Sequence, residues 1–321
     1  MKNSITMKAS AISLSLILTM FVGCKKEQVK NFTIATGGTS GTYYPLGGAI
    51  ADIWNRNVEN VNVTIQATGA SAENVRLIST GNAAFAIVQN DVMDYAYNGT
   101  DMFEGALPNL AAIGTLYQEV VQIAASKTSG IKTIADLRGK RVSIGDAGSG
   151  VEFNAKQILE GYGITFNDIQ KRNLSFKESA EEIKNGTLDA CFVTAGVPNT
   201  ALQELASTAG FVLIPVTEPE ADKIVRSYNF YTKTTIPAGT YSGNNTETDA
   251  LAIKAMLAVN EQLDEETVYE MTKELFENLD VLGAAHAKGK EVSLNAAVDG
   301  VSVPFHPGAV RYFSEEGLTT H

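Results

Sequence analysis

The sequence predicts an α/β protein of two lobes that face each other across a cleft. Short apolar segments of strand length alternate with amphipathic segments of helix length along most of the chain. Such alternation is typical of parallel sheets that are covered by helices on both faces. The same succession of strands and helices begins again near residues 122–127, which indicates a second lobe.

The N-terminal segment has the features of an export signal. Lys2 and Lys8 precede an apolar run at residues 9–22, and this run is too short for an ordinary membrane span. The run ends in Phe21-Val22-Gly23-Cys24, which is similar to a bacterial lipobox. We therefore expect residues 1–23 to be a lipoprotein signal peptide, Cys24 to be lipidated and residues 24–31 to form a linker. An ordinary secretory signal with an incidental cysteine is the alternative.

Charge and cysteine content exclude several classes of protein. The chain carries 25 Lys and Arg against 36 Asp and Glu, and loss of the two lysines in residues 1–23 would change its net charge from −11 to −13. Such acidity argues against binding to nucleic acid or to anionic membrane surfaces. With Cys24 lipidated, only Cys191 remains, so the mature chain can form no internal disulfide. Cys191 lies in an apolar strand candidate, where we expect it to be buried.

The predicted lobe I comprises residues 32–122 and 252–321. Residues 61–67 alternate apolar and polar side chains, which predicts a strand, and the continuous apolar run 83–88 suits a buried parallel strand. The predicted strands are 32–35, 61–67, 83–88, 110–116 and 120–125, and the predicted helices are 46–54, 72–79 and 89–97.

The predicted lobe II comprises residues 123–251 and repeats the pattern. Ser149 and Glu152 match a capping box, which places the N-terminus of a helix between them. The predicted strands are 141–145, 188–193 and 211–216, with a strand extension at 175–176, and the predicted helices are 133–137, 151–162, 179–185 and one that ends at Ser207.

The last part of the chain is expected to return to lobe I. Residues 250–259 are apolar and can cross back between the lobes. The clearest helix pattern follows at 261–282, with Asp264 as its expected N-cap. One face of this helix is apolar and consists of Val268, Met271, Leu275, Leu279 and Leu282. Packing against the lobe I core is the preferred interpretation, and pairing with a partner protein is the alternative.

The glycine-rich turn at residues 36–48 is the strongest candidate for a binding loop. It follows a strand and precedes a helix, an arrangement that directs unpaired backbone N–H groups at one point. Its glycines let the backbone approach a small molecule closely, and its hydroxyl groups add donors. No Walker or dinucleotide-binding motif is present, so we expect a small anion and not a nucleotide. A turn that only connects two elements is the alternative.

Three further strand-to-helix turns, at residues 89–91, 148–154 and 194–198, also carry small and polar residues. In parallel sheets such turns lie at the carboxyl ends of the strands, where ligands bind. Two lobes that face each other with these edges would enclose a ligand. The candidate ligand-binding residues are Gly38, Thr39, Ser40, Tyr43, Gln89, Asp91, Gly148, Ser149, Gly150, Glu152, Asn154, Thr194, Ala195 and Gly196.

These residue types fit a carboxylate, which several N–H and hydroxyl donors can hold together. Gln89 and Asn154 could bind either a carboxylate or an amide. Asp91 and Glu152 could hold an α-ammonium group or could cap helices. Arg76, in a predicted helix, is the nearest guanidinium, although a solvated surface position is the preferred interpretation.

Enzymatic functions have little support in the sequence. The histidines, His286, His306 and His321, show no metal-ligand spacing, and His306 lies between prolines in a turn that suggests a structural role. Ser149 lacks a nucleophile elbow because Ala147 occupies the position of its first glycine. We therefore expect no enzyme, no metal and no cofactor.

Six motifs resemble the TAXI family, the solute receptors of TRAP transporters, and they cover nearly all of the mature chain in the same order. They are the turn at 36–48, Ala86–Asp91, Asp136–Gly145, Gly148–Ala155, Asp189–Pro198 and Val303–Ala309. The resemblance implies a two-lobed periplasmic-binding-protein fold of type II, the Venus-flytrap fold. It also implies a small carboxylate ligand, either a glutamate- or glutamine-like amino acid or a dicarboxylate.

The resemblance further implies a TRAP-type membrane permease, driven by an ion gradient, as partner. The receptor would be an exported monomer, lipid-anchored to the bacterial membrane and facing the periplasm or the cell exterior. Ser40 stands where the family usually has glycine, and its hydroxyl could donate to a ligand or narrow the pocket. Two alternatives remain from the residues: a ligand-sensing lipoprotein of a signalling system and a secreted hydrolase.

Overall fold

A computed structural model describes residues 28–320. The predicted signal peptide, Cys24 and His321 lie outside the described residues. Within them the strands are β1 Lys30–Ala35, β2 Val61–Gln66, β3 Phe85–Gln89, β4 Leu110–Ser126, β5 Arg141–Ser143, β6 Gln170–Arg172, β7 Ala190–Ala195, β8 Phe211–Leu213, β9 Thr232–Ile236 and β10 Thr248–Asn260. The α-helices of this part of the chain are α1 Tyr43–Asn57, α2 Ser71–Ser79, α3 Asn90–Asn98, α4 Gly150–Gly161, α5 Phe176–Lys184, α6 Thr200–Thr208, α7 Glu220–Ser227, α8 Glu265–Glu277, α9 Leu279–Ala285 and α10 Pro307–Glu315.

The strands form one sheet in the order β2-β1-β3-β10-β4-β7-β5-β6, with β8 beside β4 and β9 beside β10. Pairing is parallel at both ends of the sheet, as the alternation of strands and helices predicts. In the middle, β4 and β10 are antiparallel to each other and to their neighbours. The expectation of purely parallel sheets is therefore wrong at the centre, because the chain crosses between the lobes once in each direction.

Strand β4 corrects a second prediction. The expected strands 110–116 and 120–125 are one strand, because Tyr117, Gln118 and Glu119 continue the ladder opposite β10. Val120 and the residues that follow pair with β7 as well. The predicted lobe boundaries, after residues 122 and 251, thus fall inside β4 and β10, which belong to both lobes.

We call β1–β3 with α1–α3 and α8–α10 lobe I, and β5–β9 with α4–α7 lobe II. Lobe I has one continuous apolar core, which contains the buried Trp54 and Phe85 rings at 4.7 Å from each other. Lobe II has a separate core on each face of the sheet, and fully buried Cys191 lies in one of them, as expected. Each lobe therefore has its own interior, and the two are joined through the central strands.

The helix expected at 261–282 is two helices, α8 and α9, with Asn278 between them. The Asn278 side-chain amide donates to the backbone oxygen of Glu274 at 2.8 Å and offers the backbone an alternative to the helical bond. Asp264 caps α8 as predicted, since its Oδ1 accepts from the Thr267 backbone at 3.0 Å. The apolar face of α8 packs in the lobe I core, as predicted.

The strand extension expected at 175–176 is wrong. Ser175 is the N-cap of α5 and forms a capping box with Glu178, so this segment starts a helix. Strands β6 and β9 and helices α7 and α10 have no sequence prediction, since their patterns are short and polar. His306 is the N-cap of α10 and accepts from the Gly308 backbone, which confirms its structural role. Among the described residues, no helix is long and apolar enough to cross a membrane.

Candidate ligand-binding cleft

The cleft lies between the lobes, at the carboxyl ends of β1 and β3 in lobe I and of β5 and β7 in lobe II. The glycine-rich turn after β1 bends at its glycines, and the Gly41 N–H donates to the Gly38 oxygen at 2.9 Å. Gly47 lets α1 lie close to β1, because a Cβ atom there would be 2.5 Å from Cγ2 of Thr36. The turn is therefore held at the edge of the sheet by the glycines that identified it.

A cavity occupies the cleft, with about 50 Å³ of space for the centres of water-sized molecules. One water needs about 10–15 Å³ in this measure. Residues of both lobes and of the shared strand β4 line it. The closed cleft therefore has room for a small molecule and none for a nucleotide.

The structure brings eight of the fourteen predicted site residues to this cavity. They come from the turn after β1, the end of β3, the start of α4 and the end of β7. These eight residues are Gly38, Ser40, Tyr43, Gln89, Ser149, Gly150, Thr194 and Ala195. Ligand contact remains a prediction for each of them, and their convergence from four separate segments supports it.

The other six predicted residues lie around the cavity and not in its wall. Thr39 is exposed to solvent. Gly148 and Gly196 contact lobe I through their backbones, Gly148 by accepting from Ala72 and Gly196 by donating to Thr42 Oγ1. The remaining three are Asp91, Glu152 and Asn154, whose contacts are described below.

Ser149 and Glu152 both form capping hydrogen bonds at the start of α4. Ser149 Oγ accepts from the Glu152 backbone at 3.2 Å, and Glu152 Oε2 accepts from the Gly148 backbone at 2.7 Å. Glu152 also lies 3.7 Å from the Lys171 ammonium. The Glu152 carboxylate thus caps its own helix, which favours the capping interpretation over an ammonium contact. The Ser149 hydroxyl proton is free of this pairing and can donate into the cavity.

Ala70 lines the cavity in a strained conformation. Its φ of 72° and ψ of −142° lie in a region that is normally reserved for glycine. Such strain typically costs about 1–3 kcal/mol and is tolerated where the surroundings hold it in place. The strained residue places the first residue of α2, Ser71, in the wall of the cavity. Sequence reasoning missed both residues, because alanine gives no signal of a positive φ.

Glu119 is the most informative residue that sequence reasoning missed. It lies on β4, is 2 % exposed and lines the cavity. Its Oε2 accepts from the Tyr43 hydroxyl at 2.7 Å, and its Oε1 lies 3.4 Å from the Tyr117 hydroxyl, which donates to it. A lone acidic residue in an apolar run is the available signal, but it lies between the predicted strands 110–116 and 120–125 and outside both.

Two buried carboxyl groups, one in the cavity wall and one beside it, have raised pKa values. Burial raises the pKa of Glu119 to about 8, although the Tyr43 hydroxyl acts in the opposite direction. Burial also raises the pKa of Asp91 to about 7. Both side chains are buried, so ionisation of either one carries a desolvation cost.

We expect the thermal stability of the ligand-free protein to fall as pH rises from about 5.5 to 8. In this window the folded protein retains protons on Asp91 and Glu119 that the unfolded chain has already released, so higher pH favours unfolding. Each group contributes at most about 1.4 kcal/mol per pH unit. In a pH series of melting curves, the double variant Asp91→Asn/Glu119→Gln should show a flatter decline. Equal slopes for the variant and the wild type would contradict this assignment.

Buried polar side chains connect the lobes behind the cavity. Asn154 Nδ2, on α4, donates to Asp91 Oδ2 on α3 at 3.1 Å and to the Tyr231 hydroxyl at 2.9 Å. Gln157 continues this chain of bonds to residues of lobe I. We call the set the cross-lobe cluster; it comprises Asp91, Tyr95, Asp101, Asn154, Gln157 and Tyr231.

Direct contacts between the lobes show that the cleft is closed. The Ser40 backbone oxygen, in lobe I, accepts from Asn199 Nδ2 of lobe II at 3.1 Å. The side chain of Gln89, from lobe I, packs against Gly150 so closely that a Cβ atom there would lie 2.0 Å from its Oε1. Phe153 of α4 reaches into the lobe I core and stacks on Tyr95 at 6.0 Å. Opening the cleft would break all of these contacts.

Two buried polar atoms in the cavity wall have no hydrogen-bond partner among the described residues. They are Oε1 of Gln89 and Oγ1 of Thr194, one from each lobe. Buried polar groups in native proteins are nearly always hydrogen-bonded, because an unpaired one costs about 1–3 kcal/mol. Their position favours a ligand that provides the missing partners.

Arg76 does not line the cavity. Its guanidinium donates to the Ala72 oxygen at 3.1 Å and lies 4.9 Å from the centre of the Phe103 ring. Of the described residues, no lysine or arginine lines the cavity. Any negative charge on a ligand would therefore be held by N–H and hydroxyl donors and not by an ion pair with a cationic side chain.

Comparison with solved structures shows that the fold is a two-lobed periplasmic-binding-protein fold. The alkanesulfonate-binding protein SsuA of Xanthomonas axonopodis pv. citri, bound to MOPS, has a TM-score of 0.53 and 14 % identity, over 90 % of this chain and 84 % of its own. A protein of Bordetella bronchiseptica RB50 has a TM-score of 0.54 and 16 % identity, over 89 % and 82 %. PhnD1 of Prochlorococcus marinus (MIT 9301), in complex with methylphosphonate, has a TM-score of 0.53 and 11 % identity, over 90 % and 98 %.

At these identities the likeness concerns the fold. The family is shown by the sequence itself, which matches over the span that includes both lobes and the whole cavity wall. Residues 34–317 match the NMT1-like family, and the chain belongs to this family.

Proposed function

We propose that the protein is an extracytoplasmic solute receptor that captures a small carboxylate between its lobes and delivers it to a membrane permease. The observation that carries this proposal is the cavity enclosed by the two lobes, with an unpaired buried polar atom from each of them. A ligand that bonds to both lobes stabilises the closed form in proportion to its preference for that form.

The donors of the cavity fit a carboxylate group. The N-terminus of α4 enters the cavity wall, and the hydroxyls of Ser40 and Ser149 lie in the same wall. Helix N-termini and hydroxyl groups stabilise an anion without a cationic side chain. SsuA and PhnD1, which share this fold, were solved with MOPS and with methylphosphonate, and each of these molecules carries an acidic oxyanion group.

The choice of transporter rests on the resemblance to the TAXI family. Within this proposal the permease is of the TRAP type and is driven by an ion gradient, and the receptor is a monomer. Lipidation of Cys24 would anchor it to the bacterial membrane, facing the periplasm or the cell exterior, with residues 24–31 as linker.

Ligand identification tests the proposal directly. Protein purified under native conditions should release a small carboxylate on denaturation, which mass spectrometry of the filtrate would identify. After removal of that ligand, at least one member of a panel of amino acids, dicarboxylates and oxo-acids should raise the melting temperature. A protein that carries no small molecule and shows no shift with the panel would contradict the receptor function.

Tyr43→Phe is expected to weaken binding of the identified ligand about tenfold, because it removes the donor to Glu119 from a buried cavity wall. Tyr269→Phe is the matched control, since Tyr269 donates to Glu315 at the same distance of 2.7 Å on the exposed surface. Calorimetric titration should show a loss for the first variant only. Equal affinities for both would remove Tyr43 from the proposed site.

Ser149→Ala is expected to weaken binding as well, through loss of a hydroxyl in the cavity wall. It also removes an N-cap, which costs about 1 kcal/mol of stability. Asp264→Ala removes an N-cap far from the cleft and separates the two effects. A loss of stability without a loss of affinity in Ser149→Ala would mean that Ser149 only caps its helix.

A further inference from the structure

Glu119 is a buried carboxyl group that accepts hydrogen bonds on both oxygens and lines the cavity. It lies on β4, the strand shared by both lobes, and its side chain is in the wall of the cavity. A carboxylate has about four positions that accept hydrogen bonds. The Tyr43 and Tyr117 hydroxyls occupy one on each oxygen, so about two acceptor positions remain for a group inside the cavity.

The charged and titratable groups around Glu119 do not neutralise it. Tyr43 faces it from α1 and Tyr117 from β4, and both are neutral donors. Asp91 on α3 opposes its ionisation. Lys288 favours it from a distance, but the ammonium of Lys288 bonds to Glu291 at 2.6 Å. Two hydroxyl donors therefore stabilise a carboxylate at Glu119, and among the described residues no cation is in contact with it.

We propose that Glu119 is the specificity-determining residue of the cavity and that its carboxylate receives a protonated amino group of the ligand. This inference rests on the proposed function and narrows it. The ligand would carry both a carboxylate, held by the N–H and hydroxyl donors near α4, and an ammonium group, held by Glu119. A zwitterionic amino acid meets both conditions, whereas a dicarboxylate places a second anion next to Glu119.

Two features distinguish an ammonium contact from a protonated Glu119 that donates to a second carboxylate. Both oxygens of Glu119 already accept from tyrosine hydroxyls, which is the arrangement that stabilises the ionised form. Gln89 Oε1, elsewhere in the same wall, is a buried acceptor without a donor. The wall thus contains a second buried acceptor, which lies against Gly150 in the closed cleft and has no donor among the described residues.

Binding of an ammonium group would also release a proton from the receptor near neutral pH. In the closed cleft without ligand, burial raises the pKa of Glu119 to about 8, and a cation in contact with the carboxyl group would lower this pKa. The affinity for an amino acid should therefore rise as pH rises from about 6 to 8, while the ligand amine stays protonated.

The experiment compares pairs of ligands that differ only in the amino group. Calorimetry with the wild-type protein would measure amino acids against their deaminated analogues, for example L-glutamate against glutarate and L-alanine against propionate. We expect the amino acid of at least one pair to bind about 30-fold more tightly than its analogue, as for a buried hydrogen-bonded charge pair.

The variant Glu119→Gln should reduce this preference to within a few-fold, since the amide keeps the shape of the side chain but loses its charge. Glu104→Gln makes the same change on the exposed surface and should leave the preference intact. Tyr117→Phe, which removes one donor to Glu119, should weaken the preference in part.

Each outcome decides the question. Equal binding of an amino acid and its analogue by the wild type, or an unchanged preference in Glu119→Gln, would overturn the role of Glu119 and leave the receptor function intact. Binding of no small molecule by the wild type would overturn the receptor function and this inference with it. Calorimetry in two buffers of different ionisation enthalpy should also detect proton release in the wild type and not in Glu119→Gln.

Discussion

Asn154→Asp is expected to prevent closure of the lobes at about pH 8 and to reduce ligand affinity by roughly a hundredfold or more. The substitution places a second carboxyl group about 3.1 Å from Asp91 Oδ2, at the position of the Asn154 amide nitrogen. Both side chains are fully buried, so water cannot screen the two charges. Because they belong to different lobes, the repulsion acts on the closed form alone.

The effect should reverse at low pH. At about pH 5.5 two carboxyl groups at this distance can share one proton, which restores a hydrogen bond between the lobes. The double variant Asp91→Asn/Asn154→Asp exchanges donor and acceptor and should recover most of the affinity at pH 8. Calorimetry would measure affinity, and small-angle scattering with saturating ligand would detect the open form. Wild-type affinity of Asn154→Asp at pH 8 would show that the cross-lobe cluster does not contribute to closure.

Gly150→Ala is expected to weaken binding roughly 10- to 100-fold with little loss of stability in the open form. A Cβ atom at this position would lie 2.0 Å from Oε1 and 2.3 Å from Cδ of Gln89, which comes from the opposite lobe. Gln89 is buried and cannot turn into solvent while the cleft is closed, so overpacking here costs about 1–3 kcal/mol. Since Gly150 has an ordinary helical position at the start of α4, alanine fits there when the lobes are apart.

Gly105→Ala is the control, because a Cβ atom there meets no heavy atom within 4 Å. Affinity should fall in Gly150→Ala and stay at the wild-type value in Gly105→Ala. A further variant, Gly150→Ala/Gln89→Ala, removes the side chain that obstructs closure and should bind a ligand at least as well as Gln89→Ala alone. If Gly150→Ala bound as tightly as the wild type, the closed cleft would have to differ from the one described.

Local pattern predicted much of the candidate site. Glycine-rich and polar turns between strands and helices are visible in the sequence, and parallel strands bring their carboxyl ends to one edge of a sheet. Tyr43, Gln89, Ser149 and Thr194 therefore line one cavity although the chain separates them widely. The capping of α4 by Ser149 is a further local feature, since it depends on a residue three positions away.

Contacts between residues that are far apart in the chain cannot be predicted from local sequence patterns. The sequence predicts no strand at Glu119, because only the ladder opposite β10 shows that β4 continues through this residue. The sequence predicts Asp91 and Asn154 as ligand contacts, because nothing local shows that their side chains bond to each other across the lobes. The break at Asn278 depends on a side-chain bond to Glu274 that a helical pattern does not reveal.

The fold class, the two-lobed organisation and the turns that meet at the cleft can be predicted from the sequence, because they follow from hydrophobic periodicity and from the conformations that glycine allows. Only the folded chain shows which polar residues line the cavity and which join the lobes. That distinction depends on burial and on partners that are far apart in the chain. It places Asn154 between the lobes and Glu119 in the cavity wall, where desolvation makes each carboxyl or amide contact sensitive to a single substitution.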